Sequence, residues 1–274
     1  MKYFFATLLC LFNLAYLCAQ NQNADAQSLS IGQIRTIKSE VLNEERTLNI
    51  YLPGKYDTAK TYPVIYLLDG SMDEDFIHIA GLVQFFNLMF NMPETIVVGI
   101  ANVDRKRDFT FKTDLKELTE KYPTTGHSDA FIRFIETELQ PFVQQHYKTN
   151  GTRYLIGQSL GGLLASEILL KKPHLFTHYL IISPSLWWDN ESLLQQAETL
   201  LARQPDLDRY VYISVGKQED EIMRRVAKAL FETLGRADKK SLKLDYKLME
   251  DDNHATILHG SIYQALLKLF PYKE

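Results

Sequence analysis

The sequence predicts an α/β domain on a mostly parallel central sheet, with an antiparallel hairpin at its amino-terminal side and helices on both faces. Three observations lead there. From residue 34 onward, short apolar runs alternate with longer segments of helical period, the pattern of strand-helix-strand units. The opening differs, because residues 34–42 and 46–52 alternate apolar with polar side chains around Asn43-Glu44-Glu45, as a hairpin at a sheet edge does. Finally, the runs at 64–68, 95–100, 154–156, 179–182, 210–215 and 244–249 are mostly apolar, rich in β-branched and aromatic residues, as strands covered on both faces are.

In chain order, Pro53-Gly54 ends the hairpin. Helical periodicity then places helices over 76–90, over 128–147 with a kink at Pro141, and over 160–172, 192–202, 221–234 and 261–270. Residues 102–126 fit no element: the stretch is polar, carries Arg105, Lys106, Arg107 and Asp108, and is long for a connection, which marks a functional or disordered loop. No internal repeat and no Pro- or Gly-rich linker divides the rest, so 31–274 reads as one domain with a large core.

The chain has 274 residues, 23% of them charged, and a formal net charge of -4. That balance offers no broad basic field and excludes nucleic acid as a partner. Residues 1–19 read as a signal peptide, with Lys2 as a minimal positive start, an apolar run over 3–17, and Cys18-Ala19 before Gln20. The run falls short of the roughly 20 apolar residues of a spanning helix. An uncleaved anchor is the rival reading, and Leu17 before Cys18 fits lipidation poorly. Residues 20–30, with Asn, Gln and Ser and no apolar period, form a flexible leader. Cys10 and Cys18 both fall in the signal, so a mature chain starting near Gln20 has no thiol for a disulfide, a nucleophile or a metal. A periplasmic or secreted location follows, without stable membrane insertion after cleavage. Oligomeric state is not legible.

The chemistry centres on Gly157-Gln158-Ser159-Leu160-Gly161-Gly162, which follows an apolar strand and leads into a helical run. This is a nucleophile elbow in its structural context. The sharp turn holds the serine Oγ away from its own backbone, flanking glycines allow close approach, and the helix amino terminus aims N–H groups at developing negative charge. A serine hydroxyl is a weak nucleophile until an imidazole takes its proton, and in such folds the order is serine, acid, histidine. His254 lies in a polar loop directly after the last strand; His259 lies farther on, and His254 is the choice. His174 and His178 have the i, i+4 spacing of a metal pair but no Glu at the position a zinc protease would use, and are read as surface residues.

The acid that orients the imidazole belongs after the penultimate strand, where Gly216-Lys217-Gln218-Glu219-Asp220-Glu221 supplies candidates. Glu219 is the choice and Asp220 the second. The oxyanion donors are the backbone N–H of Leu160 and, from the loop Leu68-Asp69-Gly70-Ser71, that of Ser71; Asp69-Gly70 is otherwise an ordinary turn dipeptide.

Together these residues resemble the esterase D and enterochelin-esterase family of α/β-hydrolases, over residues 31–270. The marks are Tyr66-Leu67-Leu68-Asp69-Gly70, Val98-Gly99-Ile100 followed by Arg105 to Asp108, the elbow, Ser183-Pro184-Ser185-Leu186-Trp187-Trp188, and His254. The Ser-Pro-Ser-x-Trp-Trp run points toward the siderophore-esterase-like bacterial branch. The resemblance implies an α/β-hydrolase fold, an acid three residues after Gly216, which is Glu219, and a donor after Asp-Gly, which is Ser71. It further implies a substrate pocket with Trp187 and Trp188 as walls and Arg105 and Arg107 near the acyl or leaving group. The plainer reading packs Trp187 in the core and pairs Arg107 with an acid. The expected function is a serine carboxylic ester hydrolase with an acyl-enzyme on Ser159, acting on a siderophore-lactone or carbohydrate-linked ester and needing no metal or organic cofactor. The alternatives are an acyltransferase on the same fold and a non-catalytic siderophore- or glycan-binding module.

Overall fold

The hairpin alternation becomes β1 (Gln33–Ser39) and β2 (Glu44–Tyr51), paired from Gln33 opposite Ile50 to Ser39 opposite Glu44. Their turn closes earlier than the sequence suggested, because Asn43 adopts a left-handed φ of 53° and releases Glu44 into the strand. In this computed structural model residues 29–272 are described. The described residues from Gly32 onward make one compact unit. The signal peptide read over 1–19, and residues 20–28 of the leader, lie outside the described residues.

The apolar runs form β3 (Tyr62–Leu67), β4 (Ile96–Ile100), β5 (Thr149–Gln158), β6 (His178–Ile182), β7 (Arg209–Gly216) and β8 (Leu242–Met249). They build an eight-stranded sheet in the order β1-β2-β4-β3-β5-β6-β7-β8. β3 to β8 run parallel to one another, and β2 joins β4 antiparallel. Along β3 the alternation divides the core: Val64 and Tyr66 face one cluster, Ile65 and Leu67 the other. Both faces are apolar, as a buried parallel strand requires. β8 departs from the expectation of full burial. It is the sheet edge, only half-buried, and it exposes Lys243 and Lys247, charges that discourage further pairing.

The helices are α1 (Phe76–Met89), α2 (Arg105–Phe109), α3 (Lys116–Lys121), α4 (Ser128–Phe134), α5 (Gln140–His146), α6 (Leu160–Lys171), α7 (Trp188–Arg203), α8 (Glu221–Arg236) and α9 (Ile257–Leu269). α1 and α9 cover one face of the sheet through Phe76, Ile79, Ile262 and Leu266; α4, α6, α7 and α8 cover the other. Among the described residues no helix is long and apolar enough to cross a membrane.

Two expectations need correction. Residues 128–147 are not one helix bent at Pro141; a π-helical turn, Ile135–Leu139, separates α4 from α5. That wider turn puts Pro141 in the first turn of α5, where a missing N–H is tolerated. Residues 102–126 are not featureless: they carry α2 and α3, which at five and six residues are too short to show a period. In α7, Asp189, Asn190 and Glu191 are left-handed, so regular helix starts at Ser192, where the periodicity had placed it.

A buried ionic cluster clamps the 102–126 segment to the hairpin. Arg46, 1% exposed, pairs with Asp108 and with Glu44, and its guanidinium lies 5.2 Å from the centre of the Phe131 ring. Arg107 joins the same two acids at 2.8 and 2.7 Å. Removing one member strands a buried charge, which costs about 3 kcal/mol or more. Arg46→Ala is therefore expected to lower unfolding stability by about that amount in a urea titration, with amide exchange rising first in α2. A loss below about 0.5 kcal/mol would show that the cluster is not a clamp.

Candidate active site

The elbow forms because β5 runs out between β3 and β6 and the chain must reverse at once into α6. Ser159 takes up the bend with φ 59° and ψ -118°, a conformation few non-glycine residues hold. Its N–H donates to Ile182 O (3.1 Å), and its C=O accepts from Leu163 N (2.9 Å) and Ser185 N (3.0 Å). Glycine is needed at 162, where a Cβ would lie 2.9 Å from both Ile182 O and Pro184 Cα. Leu160 opens α6, so its N–H has no acceptor within the helix.

The acid and the imidazole come from adjacent strand ends. Past β7 the chain turns at Gly216, where any Cβ would collide with Asp252 O; that closeness brings the two loops together, and Gln218 N donates to Asp252 O at 3.1 Å. Glu219 Oε2 lies 2.7 Å from His254 Nδ1, while Oε1 accepts from Gly216 N (2.7 Å) and Ser183 Oγ (2.5 Å). Burial pushes the Glu219 carboxyl up, but the bonds from His254, Ser183 and Gly216 outweigh it and hold the group below its ordinary value. Asp220 is exposed at the start of α8 and makes no such contact.

The His254 loop is tied to the elbow by its own backbone: Gln158 Nε2 donates to His254 O at 2.6 Å, one residue before Ser159. The Ser159 hydroxyl meets Ser185 Oγ at 3.4 Å, and among the described residues no hydrogen bond joins it to His254. His259 stands elsewhere, stacked on His78 with ring centres 3.5 Å apart and 3.6 Å from Asp75. His174 bonds Glu136 on the surface. His178 is not a surface residue: it stacks on Tyr154, and burial pushes its imidazole down to about 4.

Beside Ser159 lies a cavity of about 180 Å3, lined by Leu160, Lys106, Thr110, Tyr122, Thr125 and Ser185 with Arg105, Trp187 and Trp188. Trp188 is a fixed wall, buried, with Nε1 donating to Phe111 O at 3.0 Å. Arg105 reaches the cavity, yet its fork is taken by Asp69 at 2.6 and 2.9 Å, and a third bond goes to Gln158 O. Arg107 is not among the lining residues; Glu44 and Asp108 hold it in the ionic cluster. Ser71 also lies outside the lining, and its N–H donates to Glu74 Oε2 at 3.3 Å. Sequence reasoning missed three contacts: the Asp69 grip on Arg105, Ser183 on Glu219, and Ser185 on Ser159. The Ser-Pro-Ser run was the available signal for the last two.

A family model described as putative esterase matches residues 39–260. Ferri-bacillibactin esterase BesA of Bacillus subtilis is 27% identical over 260 residues, covering 85% of this chain and 88% of that protein. An IroE-like serine hydrolase from Shewanella oneidensis superposes with a TM-score of 0.81 at 30% identity, covering 87% of this chain and 80% of its own. BES protein from Bacillus cereus gives 0.78 at 29%, covering 89% and 97%.

The tie from Gln158 to the His254 carbonyl can be tested alone. A single hydrogen bond contributes about 1 kcal/mol, so Gln158→Ala should raise amide exchange over 252–256 roughly fivefold with little change in global stability. Unchanged exchange would show that the loop is held by other contacts.

Proposed function

This chain belongs to the putative esterase family and is an esterase; from that premise we propose that it hydrolyses carboxylic esters through an acyl-enzyme on Ser159. The observation that carries the reading is the 2.7 Å contact between Glu219 and His254 Nδ1, made by a loop that Gln158 ties to the elbow. A carboxylate on Nδ1 fixes the tautomer whose Nε2 can accept a proton, and stabilises the imidazolium that results. In this reading His254 takes the Ser159 proton as Oγ attacks the carbonyl, returns it to the leaving alcohol, and then activates water to release the acid.

The developing oxyanion is held by the N–H of Leu160 and that of Ser71. For the second donor the Glu74 carboxylate must release Ser71; at 3.3 Å and exposed, that bond is weak enough to exchange. Substrate contacts fall to Tyr122, Trp187 and Lys106, with Trp188 as a fixed wall. Arg105 acts here by holding the Asp69 loop against the elbow, and Arg107 has no substrate role.

A relative named for ferri-bacillibactin supports a siderophore ester as substrate. The cavity, at about 180 Å3, is smaller than the roughly 300–1,000 Å3 that drug-sized ligands occupy, and so takes one acyl arm while the remainder of the molecule lies outside. In the same reading residues 1–19 are a signal peptide, 20–30 a leader and 31–274 the catalytic domain, and the enzyme works in the periplasm or outside the cell.

Ser159→Ala should lose at least about a thousandfold in kcat on p-nitrophenyl acetate and on a ferric catecholate lactone, with its circular dichroism unchanged. A fluorophosphonate probe should label the wild-type protein and spare the variant. Wild-type turnover in Ser159→Ala would sink the nucleophile assignment.

A further inference from the structure

The run Ser183-Pro184-Ser185 lies at the carboxyl end of β6, between the strand that ends at the elbow and the strand that leads to Glu219. Ser183 has a left-handed φ of 43°, and its N–H donates to Ser214 O on β7 at 2.8 Å. That posture turns its hydroxyl onto Glu219 Oε1 at 2.5 Å. Two residues on, buried Ser185 gives its N–H to the Ser159 carbonyl and sets its Oγ 3.4 Å from Ser159 Oγ. Pro184 between them seats against Gly162 of α6.

We propose, resting on the roles of Ser159, His254 and Glu219 given above, that Ser183 and Ser185 are positioning residues, one turn holding the carboxylate and the nucleophile in register. Ser183 acts through Glu219. A carboxylate only accepts, so the Ser183 hydroxyl must donate, leaving Oε1 two donors and Oε2 to His254. Each donor makes the carboxylate less basic toward the imidazolium. Without Ser183 the carboxylate has one donor fewer and attracts the imidazolium proton more strongly.

Ser185 acts through Ser159. Two hydroxyls in contact share one hydrogen bond. When Ser185 donates it, the Ser159 proton is left to point at His254; without Ser185 the Ser159 oxygen loses that donor and its hydroxyl is no longer held in one rotamer. A turn that merely stabilised the fold would change protein yield or melting and leave these proton positions alone.

The test is kcat and kcat/KM against pH, from about pH 4 to 9, on p-nitrophenyl acetate, for wild type, Ser183→Ala, Ser183→Gly, Ser185→Ala and Ser159→Ala. Glycine accepts the positive φ at 183 without strain, so Ser183→Gly removes the hydroxyl and keeps the turn. Both Ser183 variants should move the acid limb of kcat/KM up by about half a pH unit or more. Ser185→Ala should leave that limb in place and lower kcat about tenfold at nearly constant KM. An acid limb that stays put in Ser183→Gly, or a wild-type kcat in Ser185→Ala, overturns the inference. Ser159→Ala keeps the two questions apart, since activity surviving there removes the nucleophile itself, whatever the turn does.

Discussion

A single carboxylate placed out of water sets the terms for the functional end of this molecule. Glu219 is buried, and an ionised group there is tolerated only when its lone pairs are matched by donors. Its three donors come from three places in the chain: Gly216 at the end of β7, Ser183 after β6, and His254 after β8. Satisfying one charge therefore pulls three strand ends to a point. The same requirement fixes which ring nitrogen of His254 is engaged, and so leaves Nε2 clear of the carboxylate.

The parallel sheet makes that convergence possible. With β5, β6, β7 and β8 adjacent and parallel, the loops carrying Ser159, Ser183, Glu219 and His254 all leave from the same edge. Only short reaches remain. The Gln158 side chain spans the distance from the elbow to the His254 backbone, and the Gly216 to Asp252 approach removes the last Cβ in the way. Antiparallel neighbours would send alternate loops to the opposite edge and separate Glu219 from Ser159.

This explains which parts were legible in the sequence. Strands 64–68 and 154–156 announce themselves because burial on both faces leaves an apolar run, and the elbow does because a strained serine needs small neighbours at fixed offsets. Among the acids after Gly216 the resemblance singled out Glu219, whereas composition alone did not, because the difference between it and Asp220 is the direction of a side chain after a turn. β8 was misjudged as fully buried for a related reason, since edge position depends on strand order. The helices α2 and α3 escaped because five and six residues are too few to show a period, and α2 is held instead by the Arg46 to Asp108 cluster, a contact across 62 residues.

The same cluster bears on what the cavity can select. The sequence offered Arg105, Lys106 and Arg107 together, and adjacent cations beside an active site invite a reading as substrate clamps. Burial sorts them. Arg107 is shared by Glu44 and Asp108, and Arg105 is gripped at both ends of its fork by Asp69, so freeing Arg107 would leave two carboxylates to Arg46 alone and freeing Arg105 would take from Asp69 its ion pair. Lys106 is exposed, joins no ion pair among the described residues, and stands 4.8 Å from the Tyr122 ring on the cavity wall. An ammonium on a flexible stem over an aromatic face answers charge without demanding the planar fit of a guanidinium. Arg105 thus forms part of the wall and Arg107 stays outside it in the ionic cluster, and in the proposed function Lys106, over the Tyr122 ring, is the positive charge left to meet what enters.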